Sequence, residues 1–125
     1  MIGRHIVSLI SAHVAELRGQ IFPIIAPQGA KYPYALYKRL ATQVDYTKDG
    51  AASDVVSVQI SVVSQNYLEA DDIVDKVRAA LEGVGGEYDD ITVDDADVTN
   101  ISDDYVVDQD CYVVSINMNF YIINN

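Results

Sequence analysis

The sequence predicts an α+β domain in which an antiparallel sheet carries two helices on one face, in the order α-β-β-α-β-β. Three observations predict it. Helical 3.6-residue periodicity occurs twice, near the start and near the middle of the chain, and period-two alternation fills the segments between and after. Each pair of alternating segments is joined by turn-rich sequence, which suits antiparallel neighbours. At 125 residues, half of them hydrophobic, the chain fits one domain spanning 1–125 with a core of its own.

The first helix is read from Ile2, Ile6, Leu9, Ile10, His13 and Leu17, which recur at helical spacing before Gly19 stops the pattern. "QIFPIIAP" follows as a proline-punctuated connector; if Ile21 to Ile25 is extended it adds a fifth strand to a four-stranded sheet. From Tyr34 the period becomes two. Tyr34, Leu36, Leu40, Val44 and Tyr46 are expected on one face and Ala35, Tyr37, Arg39, Gln43 and Asp45 on the other. After "KDGAASD" the alternation returns in Val56, Val58, Ile60 and Val62. These two arms make a long β-hairpin at about 34–65, each arm about 12 residues, roughly twice the usual strand, so it is expected to project beyond the core.

Asn66 with Glu69 three residues on is an N-cap signature, and Ala70, Ile73, Val74, Val77, Leu81 and Val84 form the apolar stripe of the second helix. Gly83 and "GG" at 85 and 86 read as its end and a turn. Two more strands follow, Tyr88 to about Asn100 and Cys111 to Ile123, the latter alternating Tyr112, Val114, Ile116, Met118, Phe120 and Ile122 with Ser115, Asn117 and Asn119.

Charge is unevenly distributed. Residues 1–48 hold six bases and two acids; residues 49–125 hold two bases and seventeen acids, giving the net charge of −11. A nucleic-acid-binding surface has the opposite sign, because affinity comes from neutralising phosphates, so no tight nucleic-acid binding is expected. No window is apolar enough to cross a membrane, and Ser8, Ser11, His13 and Glu16 break the N-terminal apolar run that a signal peptide needs. The lone Cys111 cannot close an internal disulfide, which favours a reducing place of synthesis.

Catalytic and metal motifs fail on their spacing. A calcium loop starting at Asp95 has Asn100 where glycine is needed and Val106 where glutamate is needed. His5 and His13 lie two helical turns apart, too far to share a metal, and read as surface or boundary residues. "GVGG" follows a helix rather than preceding one, so it is no phosphate loop. Asp108 and Asp110 beside Cys111 disfavour a thiolate, and no serine lies in a nucleophile elbow. Neither enzyme activity nor a cofactor is expected. Nine tyrosines without tryptophan suit both sheet packing and protein contact.

The helix, then "IFPIIAPQGAKYPYALYKRL", a "DG" turn, "VVSVQISVVSQNY" running into "EADDIVDKVRAAL", and finally "DDYVVDQDCYVVSINMNFYI" together resemble the tail completion, or tail terminator and head-tail joining, proteins of long-tailed bacteriophages. The resemblance implies a virion protein assembled in the host bacterial cytoplasm. Its role would be to end tail tube polymerisation and join tail to head as a ring, usually a hexamer, with itself, the tail tube protein and the head connector protein as partners. On that reading the basic first part is expected to meet an acidic neighbour. Lys31, Tyr37, Lys38, Arg39, Lys48, Asp49 and Gly50 are the candidate subunit contacts, and Asp94, Asp95, Asp97, Asp103 and Asp104 the candidate acidic channel or surface. The alternative is an intracellular protein-binding module unrelated to virions.

Overall fold

A computed structural model describes residues 2–46, 52–87 and 90–124. Two helices, α1 (Ile2–His13) and α2 (Tyr67–Leu81), lie over one face of a sheet. The sheet is six-stranded: β1 (Ile21–Pro23), β2 (Tyr34–Tyr46), β3 (Ala52–Ser64), β4 (Gly86–Glu87), β5 (Ile91–Val106) and β6 (Cys111–Asn124), ordered β1-β2-β3-β6-β5-β4. Four long strands and two helices keep the expected order. The expectation of a four- or five-stranded, purely antiparallel sheet is corrected, because β1 pairs parallel to β2 and β4 adds a two-residue strand beside β5.

β3 and β6 pair along their whole length, and alternation sends Val56, Val58, Ile60 and Val62 with Val114, Ile116, Met118, Phe120 and Ile122 to the helix-bearing face. All nine are buried against Ile6, Ile10, Ile73, Val74, Val77 and Leu81. The other face of the same two strands is mostly polar, with Ser57 donating to Asn119 Oδ1 at 2.7 Å and Ser61 bonded to Ser115 at 2.8 Å. Because β6 is as long as β3, the hairpin does not project: its inner arm lies within the sheet.

The N-cap of α2 forms as its sequence requires. Asn66 Oδ1 accepts from the Glu69 N–H at 3.2 Å, the Ser64 hydroxyl donates to Glu69 Oε1 at 2.7 Å, and the Asn66 N–H donates to Ser64 Oγ at 3.0 Å. Lys76 of α2 reaches Glu16, just past α1, at 2.6 Å and ties the two helical segments together. At the far end of α2, Gly85 passes so close to β5 that an added Cβ would lie 2.5 Å from the Val93 carbonyl oxygen.

Two further sequence expectations are corrected. β2 changes register with β3 between Arg39 and Ala41, so Leu40 is an extra residue. It reverses the phase of the alternation: Lys38 lies opposite Gln59 on the helix-free face, whereas Thr42 lies opposite Val56 on the helix-bearing face. Tyr34, Leu36, Leu40, Val44 and Tyr46 therefore do not share a face. His5 is no surface residue; it is 1% exposed, with its ring edge-on to Phe120 at 6.0 Å.

Burial pulls the His5 pKa below its ordinary value, against an opposing backbone hydrogen bond at Val84. The unfolded chain then binds a proton that the folded chain resists, so stability is lost as pH falls below the unfolded value of about 6.5. Replacing His5→Phe should reduce the loss in Tm between pH 7.5 and 5 by a few degrees, measured by calorimetry. Gly85→Ala should cost about 1–3 kcal/mol in chemical denaturation, since backbone rather than a flexible side chain must move.

Candidate functional site: the two open sheet edges

Each outer long strand is covered along only part of its length. β1 covers β2 at Ala35 to Tyr37; the Ala35 N–H donates to the Gln20 carbonyl at 2.8 Å, and the Tyr37 carbonyl accepts from Ile24 at 2.9 Å. From Lys38 to Tyr46, no strand among the described residues pairs with β2 on its outer side. β4 covers β5 at Thr92 and Val93, and the Ala96 carbonyl accepts from Gly83 at 2.9 Å. From Asp97 to Val106, the outer side of β5 is likewise unpaired among the described residues. The sheet thus ends in two open stretches of nearly equal length, covered at opposite ends.

Backbone direction follows from the bonds that are made. Ala35 and Tyr37 turn their N–H and C=O outward, so Arg39 does too, and beyond the extra residue Leu40 the outward positions are Thr42 and Val44. On β5, Ala96 is outward, and the shift between Val98 and Asn100 makes the later outward positions Ile101, Asp103 and Tyr105. Asp95 and Asp104 turn their carboxylates back onto the N–H groups of Ala96 and Tyr105, both at 2.8 Å.

The two edges differ in charge. Lys38 on the helix-free face and Arg39 on the helix-bearing face are exposed at the start of the β2 edge. Asp97 and Asp104 on the helix-free face and Asp103 on the helix-bearing face are exposed along the β5 edge. Asp103 accepts from the Tyr67 hydroxyl at 2.8 Å, and that hydrogen bond raises the Tyr67 pKa. Asp97 similarly raises the pKa of Tyr121, first through a hydrogen bond to its hydroxyl.

The remaining sequence candidates spread around these edges. Lys31 is exposed in the loop between β1 and β2, whose Tyr32–Pro33 peptide is cis. Tyr37 is half-buried, with its hydroxyl and ring set 3.4 to 3.5 Å from where a Cβ on Gly3 would lie. Asp94 is the extra residue of a bulge after Val93, and Asp95 lies opposite Tyr121 on the helix-free face. Lys48, Asp49 and Gly50 fall outside the described residues. Among the described residues no group of His, Cys, Asp and Glu could hold a metal ion.

Sequence reasoning overlooked the apolar part of the β2 edge. A hollow of about 330 Å³ opens on the helix-bearing face, lined by Ile2, Ile6, Tyr37, Thr42, Val58 and Ile122. At its margin Ile24 has φ +65°, and the Ile25 N–H donates to the Pro23 carbonyl at 2.6 Å, a γ-turn of the rare positive-φ kind. For a β-branched residue that conformation is strained, yet Ile24 and Ile25 are 71% and 76% exposed. The only sequence signal for this knuckle was a pair of isoleucines between prolines.

The open β2 edge has a direct readout. In the free chain, the amides of Arg39, Thr42 and Val44 should exchange with solvent about tenfold or more faster than those of Ala41 and Gln43, which face β3, as measured by NMR.

A family model described as tail completion protein gp17 matches residues 7–123. No curated protein matches the chain significantly. Among solved structures, a chain of the "Virion of native gene transfer agent (GTA) particle" is similar, with TM-score 0.75 and 14% identity over 94% of this chain and 91% of that one. At that identity the likeness concerns the fold.

Proposed function

The chain belongs to the tail completion protein gp17 family, and on that premise we propose that it ends tail tube polymerisation and joins tail to head as a closed ring of identical copies in the virion. The observation that carries this reading is the pair of open edges. They belong to one sheet, run antiparallel, are opposite in charge and are nearly equal in length. An edge of this length invites pairing with another chain, and the β2 edge of one copy suits the β5 edge of the next. Such a contact is heterologous, so repeating it generates a ring wherever the rotation closes.

Curvature decides which face turns inward. The helices thicken one side of the sheet and need the larger circumference, so the helix-free face lines the channel. That face offers Ser57, Gln59, Ser61, Ser115, Asn117 and Asn119, together with Asp95, Asp97 and Asp104. Hydroxyls, amides and carboxylates outnumber the one base that the described strands place on that face, Lys38, so phosphates meet little counter-charge, which suits a conduit for DNA and not a binding site. With four long strands per copy, six copies would close a barrel about 45 Å across between backbones, wide enough for duplex DNA; three would give about half that width. The tail tube protein and the head connector are the partners on the two rims.

Thr42→Pro tests the reading, because it removes an outward N–H that no strand among the described residues pairs with. Its Tm should stay within a few degrees of the parent. Association of the parent into rings, followed by native mass spectrometry with and without the tail tube protein, should be weakened about tenfold or more by the substitution. A parent chain that neither oligomerises nor binds the tube protein, or rings indifferent to Thr42→Pro, would remove the reading.

A further inference from the structure

We propose that the tyrosine-rich end of the sheet docks a different protein, through a segment that sets two arginines between aliphatic residues. The site belongs to a single copy. Where copies form the ring proposed above, it repeats around one rim.

Five of the nine tyrosines gather at this end, where β2 and β6 begin and β3 and β5 finish. On the helix-free face Tyr32 stacks on Tyr34 at 5.6 Å. On the helix-bearing face Tyr67, the first residue of α2, meets Tyr112 edge-on at 5.7 Å, and Tyr112 meets Tyr105 at 5.0 Å. This second row crosses the ends of the strands, from α2 over central β6 to β5, whereas the open edges run along them. A partner on the row approaches end-on. Aliphatic side chains frame it: Leu68, beside Tyr67, is 73% exposed, and Val107, two residues past Tyr105, is 77% exposed. Open apolar surface with aromatic rings at its centre has the composition of a protein contact.

Carboxylates hold the outer rings. The Tyr67 hydroxyl donates to Asp103 at 2.8 Å, and the Tyr105 hydroxyl donates to Asp110. Both bonds raise the tyrosine pKa, so the hydroxyls stay donors throughout the neutral range. Each carboxylate keeps lone pairs to spare. No ion pair among the described residues engages Asp103, Asp108 or Asp110, and no lysine or arginine follows Arg78 in the chain. An incoming protein can supply the missing cations. Phosphate-bearing partners, nucleic acid or membrane, are repelled by the same acids.

The pairing of ring with carboxylate selects arginine. A guanidinium stacks flat on a tyrosine face and forks onto a carboxylate with two parallel N–H donors; an ammonium has no plane to do either. Rings already held by their hydroxyls lose little freedom on binding. The outer two rings stand no more than about 11 Å apart, a span that three or four residues of extended chain cover. Two arginines on one side of such a segment reach both carboxylates, and aliphatic residues outside them cover Leu68 and Val107.

The test is titration of the full chain, followed by NMR, with the capped peptide Leu-Ser-Arg-Ser-Arg-Ser-Leu and with the same peptide carrying lysine for arginine. The arginine peptide should bind about fivefold or more tighter, and should move the amides of Tyr67, Tyr105 and Tyr112 most. Tyr105→Leu removes a ring face while keeping apolar bulk, and Asp110→Asn suits the left-handed backbone at that position. Each should weaken the arginine peptide about threefold or more. Asp75→Asn, at an exposed acid farther along α2, should leave its affinity unchanged. Absence of binding would overturn the proposal. So would equal affinity for the lysine peptide or an equal loss in Asp75→Asn, either of which reduces the contact to general attraction between opposite charges. The same amides shifting with protein concentration before any peptide is added would assign the surface to a second copy instead. Peptide binding is read on the single chain, so it holds or fails separately from ring formation.

Discussion

The structure depends on the uninterrupted pairing of β3 with β6. Twelve residues of each strand, Ser53 to Ser64 and Tyr112 to Ile123, exchange ladder bonds without a bulge. Because neither strand slips, both keep one phase of alternation from end to end, and each presents a continuous apolar row to the helices. Val58 opposite Met118, Ile60 opposite Ile116 and Val62 opposite Val114 form the floor on which α1 and α2 pack. A one-residue slip would exchange that floor for the serine and asparagine face, which no helix could cover. The bulges are confined to β2 and β5, the two strands flanking this centre.

That confinement separates stability from interaction. The core is completed by the central pair and the helices, so the outer strands need contribute only their inner edges. Their outer edges are covered by the briefest means available, three residues of β1 and two of β4. Soluble proteins usually blunt long edges with charge, proline or a covering loop, since an open edge is a template for aggregation. Here charge is present, but its sign differs between the edges. Like edges repel and unlike edges attract, so on the proposed ring reading two β5 edges are kept apart while β2 is matched to β5. On that reading the same charges that suppress indiscriminate pairing direct the joint between copies.

Sequence periodicity was a sound guide wherever a residue's environment follows from its neighbours along the chain. The N-cap at Asn66, the stripe of α2 and the alternation of β3 and β6 are local patterns, and each lies where its spacing indicates. Failures occur where tertiary contact decides. Leu40 is hydrophobic and in phase with Leu36, so nothing local marks it as the extra residue that reverses the strand. The pairing of Ile21 to Pro23 parallel to β2 is a long-range event, and so is the burial of His5, whose neighbour Phe120 lies at the other end of the chain. Lys38 and Arg39 were identifiable as subunit-contact candidates, and Asp103 and Asp104 as part of an acidic channel or surface. That the two groups occupy opposite edges became legible only once strand order was known, because numbering alone does not say that β6 separates β3 from β5.

The strained turn at Ile24 ties these points together. A positive φ at a β-branched residue persists only when its surroundings impose it, and here the constraint is visible: the Ile24 N–H is held by the Tyr37 carbonyl while the Ile25 N–H is held by Pro23. Ending β1 this abruptly has one structural result, which is that the β2 edge becomes available immediately at Lys38. A relaxed continuation of β1 would cover Arg39 and Thr42 and close the open edge that begins at Lys38. The chain instead accepts strain and two exposed isoleucines at the point where pairing within the molecule stops. In an isolated domain that choice would be a cost without return; in a ring it is what leaves the edge open to the next copy.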